Sequence, residues 1–172
     1  MDDLTIVRLG TPVLRLQAEE VHELDDEVRD LPRRMFSTMY AGGGQGLAAP
    51  QVGISRRIAV VDVPPGTGDR YVLINPRILA VSEERARAVE GCLSLPRVRE
   101  IVERPAEVLI EAMDPSGAYL RLEAGGDLAR CLLHEMDHLD GVLYIDHLTP
   151  LARKMLLRRY HKLQVESRTQ KR

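Results

Sequence analysis

His134 and His138 stand four residues apart, with Glu135 directly after the first, in the stretch LLHEMDHL (132–139). At 3.6 residues per turn, positions i and i+4 project from one face of a helix. Two imidazoles on one face are half of a metal site. The glutamate, one step round, can reach a water beside the metal. This is the His-Glu-x-x-His arrangement of metallohydrolases. Two histidines are too few to hold an ion tightly, so a third ligand is required.

Cys131 lies on the same helical stretch, three residues before His134 and seven before His138. Seven residues span about 10 Å of helix. A metal holds sulfur at about 2.3 Å and nitrogen at about 2.1 Å. No single ion reaches all three groups from one straight helix, so Cys131 reads as a small apolar filler near the site. Known zincins take their remaining ligand from downstream, and the downstream candidates are His147, His161 and Glu166, none of them in a motif. Upstream stands Cys92, in EGCLSLP (90–96), after a glycine and before an apolar, strand-like run. Two histidines and one cysteine would leave a fourth position open, the layout of a catalytic rather than a closed structural site.

The elements that position these groups follow from the pattern along the chain. Val28, Leu31, Met35 and Met39 recur at helical spacing, predicting a helix over about Asp25 to Tyr40, started or kinked by Pro32. AGGGQGLAAPQVG (41–53) holds backbone close to something. RIAVVDV (57–63) is a buried strand, PPGTGD (64–69) a loop and YVLINPRIL (71–79) another extended run. Val108 and Ile110, then Leu120 and Leu122, alternate around DPSG (114–117), a hairpin. The ligand helix covers 127–141, with Leu128, Leu132, Glu135 and Leu139 on a 3.6 period and Gly141 as its stop. Thr149 caps and Pro150 opens a last helix, with Leu151, Met155 and Leu163 turned inward. The expected fold class is α+β, mostly antiparallel sheet packed around a central metal-binding helix with a C-terminal helix, rather than a βαβ array.

The 172 residues fit one domain, 1–172, with 150–172 as its C-terminal helix and basic tail. Aromatics make up only 3%, so the core must come from Leu, Val, Ile, Ala and Met. A net charge of -2 argues against a general electrostatic binder of nucleic acid, so no DNA partner is expected. The charge is uneven: from Arg153 onward eight Lys or Arg stand against one acid, whereas residues 1–30 carry nine acids and three arginines. Two cysteines make no disulfide framework, and neither a leader nor an apolar run of about 20 residues is visible. The expectation is a reduced, cytoplasmic protein with no membrane partner.

Three stretches resemble the three motifs of the peptide deformylase family, in the same order and at similar separations: GQGLAAPQ (44–51), EGCLS (90–94) and HEMDHLDG (134–141). LGTPVLR (9–15) and LPRVREIVERP (95–105) are similar to that family's flanking segments, so the likeness runs from about residue 5 to about 165. The resemblance implies a metallo-amidohydrolase that removes the N-formyl group from formyl-methionine at the start of nascent chains and releases formate. It implies Cys92, His134 and His138 as metal ligands and Glu135 as general acid/base. Gln51, through its amide, and Leu93, through its backbone N–H, would hold the formyl oxygen. Gly46 would allow close approach of the substrate backbone, and Arg99 would bind substrate or shape the site. The implied metal is Fe2+, often replaced by Zn2+, Ni2+ or Co2+.

In that scheme the metal lowers the pKa of its water from 15.7 to about 7. A peptide lying along GQGLAA would add a strand to a sheet edge. Two positions depart from the family pattern. Leu133 stands where it usually has Gln, and Gln45 stands where an apolar residue is common, making a methionine pocket more polar and its substrate breadth open to question. Asp137 is a candidate for orienting a ligand or a nearby arginine, and Glu90 for a buried pair, with Arg99 as the expected partner. A different metallohydrolase, or a metal that only braces the fold, are the competing readings. The basic end, offering Arg153, Arg158, Arg159 and Lys162, suggests a packing helix or a ribosome contact.

Overall fold

The computed structural model describes residues 4–67 and 69–169. Helix α1 spans Asp26–Ala41, and the side chain of Asp25 caps it by accepting the Val28 N–H at 2.8 Å. Pro32 neither starts nor breaks this helix; it lies inside it, buried beside Leu31 and Met35. Strands β1 (Gly46–Ala48), β2 (Ile58–Asp62), β3 (Arg70–Val81), β6 (Glu107–Met113) and β7 (Tyr119–Gly125) form one sheet in the order β1-β2-β3-β6-β7. Every pairing in it is antiparallel. Strands β4 (Arg85–Cys92) and β5 (Leu95–Pro105) form a separate hairpin, and helices α2 (Gly126–Leu139) and α3 (Pro150–Thr169) complete the described chain.

The apolar run of β2 that precedes Asp62 is explained by cover on both faces. Ile58 and Val60 pack with Met35 and Met39 of α1, while Val61 joins Ala129, Leu132 and Leu133 of α2. Each of these large side chains is fully buried or nearly so, worth roughly 1.5–3 kcal/mol apiece. The expected hairpin forms as β6 and β7, with Ile110 opposite Leu122. Its turn is fixed by Asp114, whose Oδ1 accepts the N–H groups of Ser116 at 2.8 Å and Ala118 at 3.0 Å. The Gly-rich stretch resolves into β1, the edge strand, followed by a 3₁₀ turn over Ala49–Val52.

Two features depart from the sequence expectation. The first is β4–β5, whose strands alternate too irregularly to stand out: β4 buries only Glu90 outright. The second is the inward face of α3. Thr149 does cap it, its Oγ1 accepting the Ala152 N–H at 3.3 Å, and Leu163 packs inward. But Leu151 is 68% and Met155 63% exposed, and the docking residues are Leu156 and Tyr160, at 5% and 3%. Both sets follow helical spacing, so periodicity alone could not choose. The choice is made by the β5 surface of Leu95, Val98 and Val102 that α3 covers. Of the basic end, Lys171 and Arg172 lie outside the described residues.

Candidate metal centre

Two repeats bring the ligands together. Along β4 the side-chain period of two puts Glu90 and Cys92 on one face, about 6.6 Å apart along the strand. Along α2 one turn separates His134 from His138 by about 6 Å. The two spacings match, and the strand lies beside the helix so that Glu90 meets His134 and Cys92 meets His138. His134 Nδ1 is 3.0 Å from Glu90 Oε2, and Cys92 Sγ is 3.2 Å from His138 Nε2. Cys92 ends β4, and a two-residue turn of Leu93 and Ser94 leads to Leu95, its partner across the ladder.

The ligand atoms of Cys92, His134 and His138 all lie within 4.8 Å of one another. A soft sulfur and two imidazole nitrogens are a donor set for Zn2+ or Fe2+. Burial holds the His138 imidazole well below its ordinary pKa, in the neutral form a ligand needs. Burial also pulls His134 down, yet its bonds to Cys92 and Glu90 outweigh this and raise it to about 10. Two buried polar atoms beside the cluster, His138 Nδ1 and Glu135 Oε2, have no hydrogen-bond partner among the described residues. These observations fit a cation held by the three residues.

The other downstream candidates fall elsewhere. His147 bonds Asp137 at 2.7 Å, His161 is exposed on α3, and Glu166 faces Lys162. Cys131 stays out of the ligand group; its thiol, pushed well up by burial, lies against the β1 backbone.

Glu135 is 3% exposed, and burial pushes its carboxyl up to about 7, against the pull of His134 and Arg104. Its neighbour is Gly46: a Cβ there would sit 2.4 Å from Glu135 Oε1 and 2.7 Å from Cys131 Sγ. A glycine is therefore needed at this position to admit the carboxylate, a reason the sequence did not reveal. Gln51 is buried, its Oε1 accepting the Ala48 N–H at 2.8 Å, which aims its amide nitrogen at Cys92 Sγ (3.4 Å) and Ser94 Oγ (3.5 Å). The Leu93 carbonyl is held by Arg8, while its side chain packs under the loop at Gly42 and Gly44.

A cavity of about 540 Å³ opens over these groups, and Gln45, Gly46, Leu93 and Arg99 all line it. Arg99 packs on Gly91. Leu133 does not reach the cavity; it is buried with Val61 and Leu73 under the sheet. That departure from the motif is a core substitution, whereas Gln45 is a change in the cavity wall.

Glu90 is not paired with Arg99. Arg104 grips it with a fork, Nε to Oε1 at 2.5 Å and Nη2 to Oε2 at 2.9 Å, and Arg130 adds Nη1 to Oε1 at 2.8 Å. Strand parity explains the correction: Arg104 shares the inward phase of Val98 and Val102, while Arg99 shares the outward phase of Arg97 and Ile101. Burial opposes ionisation of Glu90, but the hydrogen bonds from His134 and Arg104 hold its carboxyl well below the usual range. Asp137 orients the same arginine, accepting Arg104 Nη1 at 2.9 Å and His147 Nε2 at 2.7 Å. No motif in the sequence marks Arg104 or Arg130. The signal available was a glutamate on a buried strand face, which demands a cation in phase with it.

The profile of the polypeptide deformylase family matches residues 3–154. A peptide deformylase of Natranaerobius thermophilus is 46% identical over 143 residues, 83% of this chain and 90% of that protein. The crystal structure of a peptide deformylase from Legionella pneumophila superposes with a TM-score of 0.92 at 37% identity, covering 99% of each chain. The Synechococcus elongatus enzyme, crystallised with actinonin, gives 0.87 at 43% identity, over 91% of this chain and 86% of that one. With the motifs, the fold and the metal cluster in agreement, the chain belongs to the polypeptide deformylase family.

Proposed function

We infer that this protein is a metal-dependent hydrolase that removes the N-formyl group from the formyl-methionine of newly made proteins and releases formate. One observation carries this reading: Cys92, His134 and His138 converge within 4.8 Å beside the buried, unpartnered carboxylate oxygen of Glu135. A divalent metal held by those three residues supplies a Lewis acid and acidifies water brought to it.

The chain's own residues supply the rest. Glu135 takes a proton from the attacking water and delivers it to the leaving amine, a role suited to a carboxyl whose pKa is near neutral. Charge that builds on the formyl oxygen meets the amide of Gln51 and the N–H of Leu93. One such donor is worth about 3–4 kcal/mol in the transition state. β1 is a sheet edge, which suits an extended peptide adding as a further strand, and Arg99 stands at the cavity wall to receive it. Fe2+ is the proposed native metal.

The test is formate release from a formyl-Met peptide by anaerobically prepared protein, with metal content measured on the same sample. Turnover that follows iron content supports the reading; metal-loaded protein that releases no formate defeats it. Gln45 in the wall makes the pocket more polar, so comparing formyl-Met, formyl-Leu and small formamides reads out substrate breadth on the same sample. Cleavage of internal peptide bonds would support a peptidase.

Cytoplasmic action on nascent chains is part of the proposal. No helix among the described residues is long and apolar enough to cross a membrane. α3 exposes Lys154, Arg158, Arg159 and Lys162, a face suited to ribosomal RNA, while Arg153 is tied to Asp146 at 3.2 Å. Deletion from about residue 151 should weaken ribosome co-sedimentation in a salt-dependent way. Unchanged binding would remove this contact from the account.

A further inference from the structure

Arg130 sits one helical turn before His134 on α2, and both reach the same carboxylate. We propose that Arg130 is a positioning residue for the metal ligand His134, acting through Glu90. This rests on the metal reading above.

A carboxylate offers about four lone-pair sites. On Glu90 all four are taken: Oε1 by Arg104 Nε and Arg130 Nη1, Oε2 by Arg104 Nη2 and His134 Nδ1. The carboxylate is 5% exposed, so water cannot replace a lost donor easily. Full occupation fixes its plane, and the fixed plane presents one acceptor to His134 Nδ1. That holds the proton on Nδ1 and leaves the other ring nitrogen for the metal.

Arg130 anchors this arrangement to the hairpin. Its Nη1 also donates to the Val102 carbonyl at 2.9 Å and its Nη2 to the Ala86 carbonyl at 2.8 Å. One guanidinium thus ties β4, β5 and the ligand-bearing helix to one carboxylate. Without it, Oε1 keeps a single partner, the ties to Val102 and Ala86 are lost, and only the Arg104 fork restrains the carboxylate that orients His134.

Two effects oppose each other when Arg130 is replaced, and their signs differ. Removing a positive charge near a dication favours metal binding. Loosening the ligand disfavours it. The direction of the change in affinity therefore separates positioning from charge.

The test is the Co2+ dissociation constant, measured by competition with a chromophoric chelator, for the full chain and for Arg130→Met, Arg130→Lys, Glu90→Gln and the double variant Glu90→Gln/Arg130→Met. Loss of an outer partner of a ligating histidine weakens metal binding about 10–100-fold. Arg130→Met is expected in that range and the double variant no weaker than Glu90→Gln alone, because the two share one route. Arg130→Lys keeps the charge without the fork and is expected in between. Unchanged or tighter binding in Arg130→Met, additive losses in the double variant, or parent affinity in Arg130→Lys overturns the inference. If Arg130→Met fails to fold, Arg130→Lys decides alone. Failure of the parent chain itself to bind Co2+ would instead overturn the metal reading, and this inference with it.

Discussion

Helices α2 and α3 both pack against the β4–β5 hairpin, but they use their surfaces in different ways. α2 turns Arg130, His134, Asp137 and His138 toward it, and each has a defined partner: Glu90, Glu90, Arg104 and Cys92. α3 docks by Leu156, Tyr160 and Leu163 and leaves Leu151, Met155 and Val165 in solvent among its basic residues. Polar partners dictate both the type and the phase of a residue. Apolar packing dictates type and leaves phase to the partner surface. Changes on the polar face of α2 should therefore alter chemistry, and changes on the docking face of α3 should alter stability.

The largest expected effect is on α2. Glu135→Gln should lower kcat about 10²–10⁴-fold with metal content unchanged, the span of a lost general acid/base. Formate release together with metal analysis measures it, and a loss below tenfold would move proton handling off this helix. On α3, Leu156→Ala should cost about 2–5 kcal/mol in denaturant unfolding. Met155→Ala, one residue away, should stay within about 0.5 kcal/mol. Reversed costs would mean that the two faces of α3 are exchanged. Between site and scaffold lies Gly46→Ala. Its methyl would displace a carboxylate that now stands 2.4 Å from the added Cβ position. A misplacement of about 1 Å can cost 10²-fold, so turnover should fall about that far while unfolding changes less.

The smallest effect concerns pH. Burial pushes the Asp146 carboxyl up, but the Arg15 guanidinium and the Leu143 N–H outweigh it and leave the pKa lowered. A lowered carboxyl stabilises the fold above its unfolded value, about 3.9, and that contribution is lost as pH falls through the folded value. Asp146→Asn should therefore flatten the acid limb of stability while leaving turnover at neutral pH unchanged. An unaltered acid limb would release Arg15 and Arg153 from this anchoring role.

The same contrast explains what the sequence could disclose. The i and i+4 histidines fix their own helix and face, and helix rise alone removes Cys131 from the ligand set. The choice of Cys92 over His147, His161 and Glu166 is not written in local spacing. It depends on a hairpin whose strands alternate poorly, and only the family motifs carried it. The sequence shows that Glu90 needs a cation but not that Arg104 rather than Arg99 supplies it, because strand parity in β5 is set by pairing with β4. Thr149 and Pro150 mark the start of α3 in the sequence, but its docking phase depends on a surface some fifty residues earlier in the chain.

The central claim is that the sulfur of Cys92, rather than that of Cys131, completes the ligand set of His134 and His138. Co2+-loaded protein tests it through the thiolate-to-cobalt charge-transfer absorption. The account predicts that Cys131→Ser keeps this absorption and Cys92→Ser loses it. Absorption that survives in Cys92→Ser, or disappears in Cys131→Ser, would contradict it.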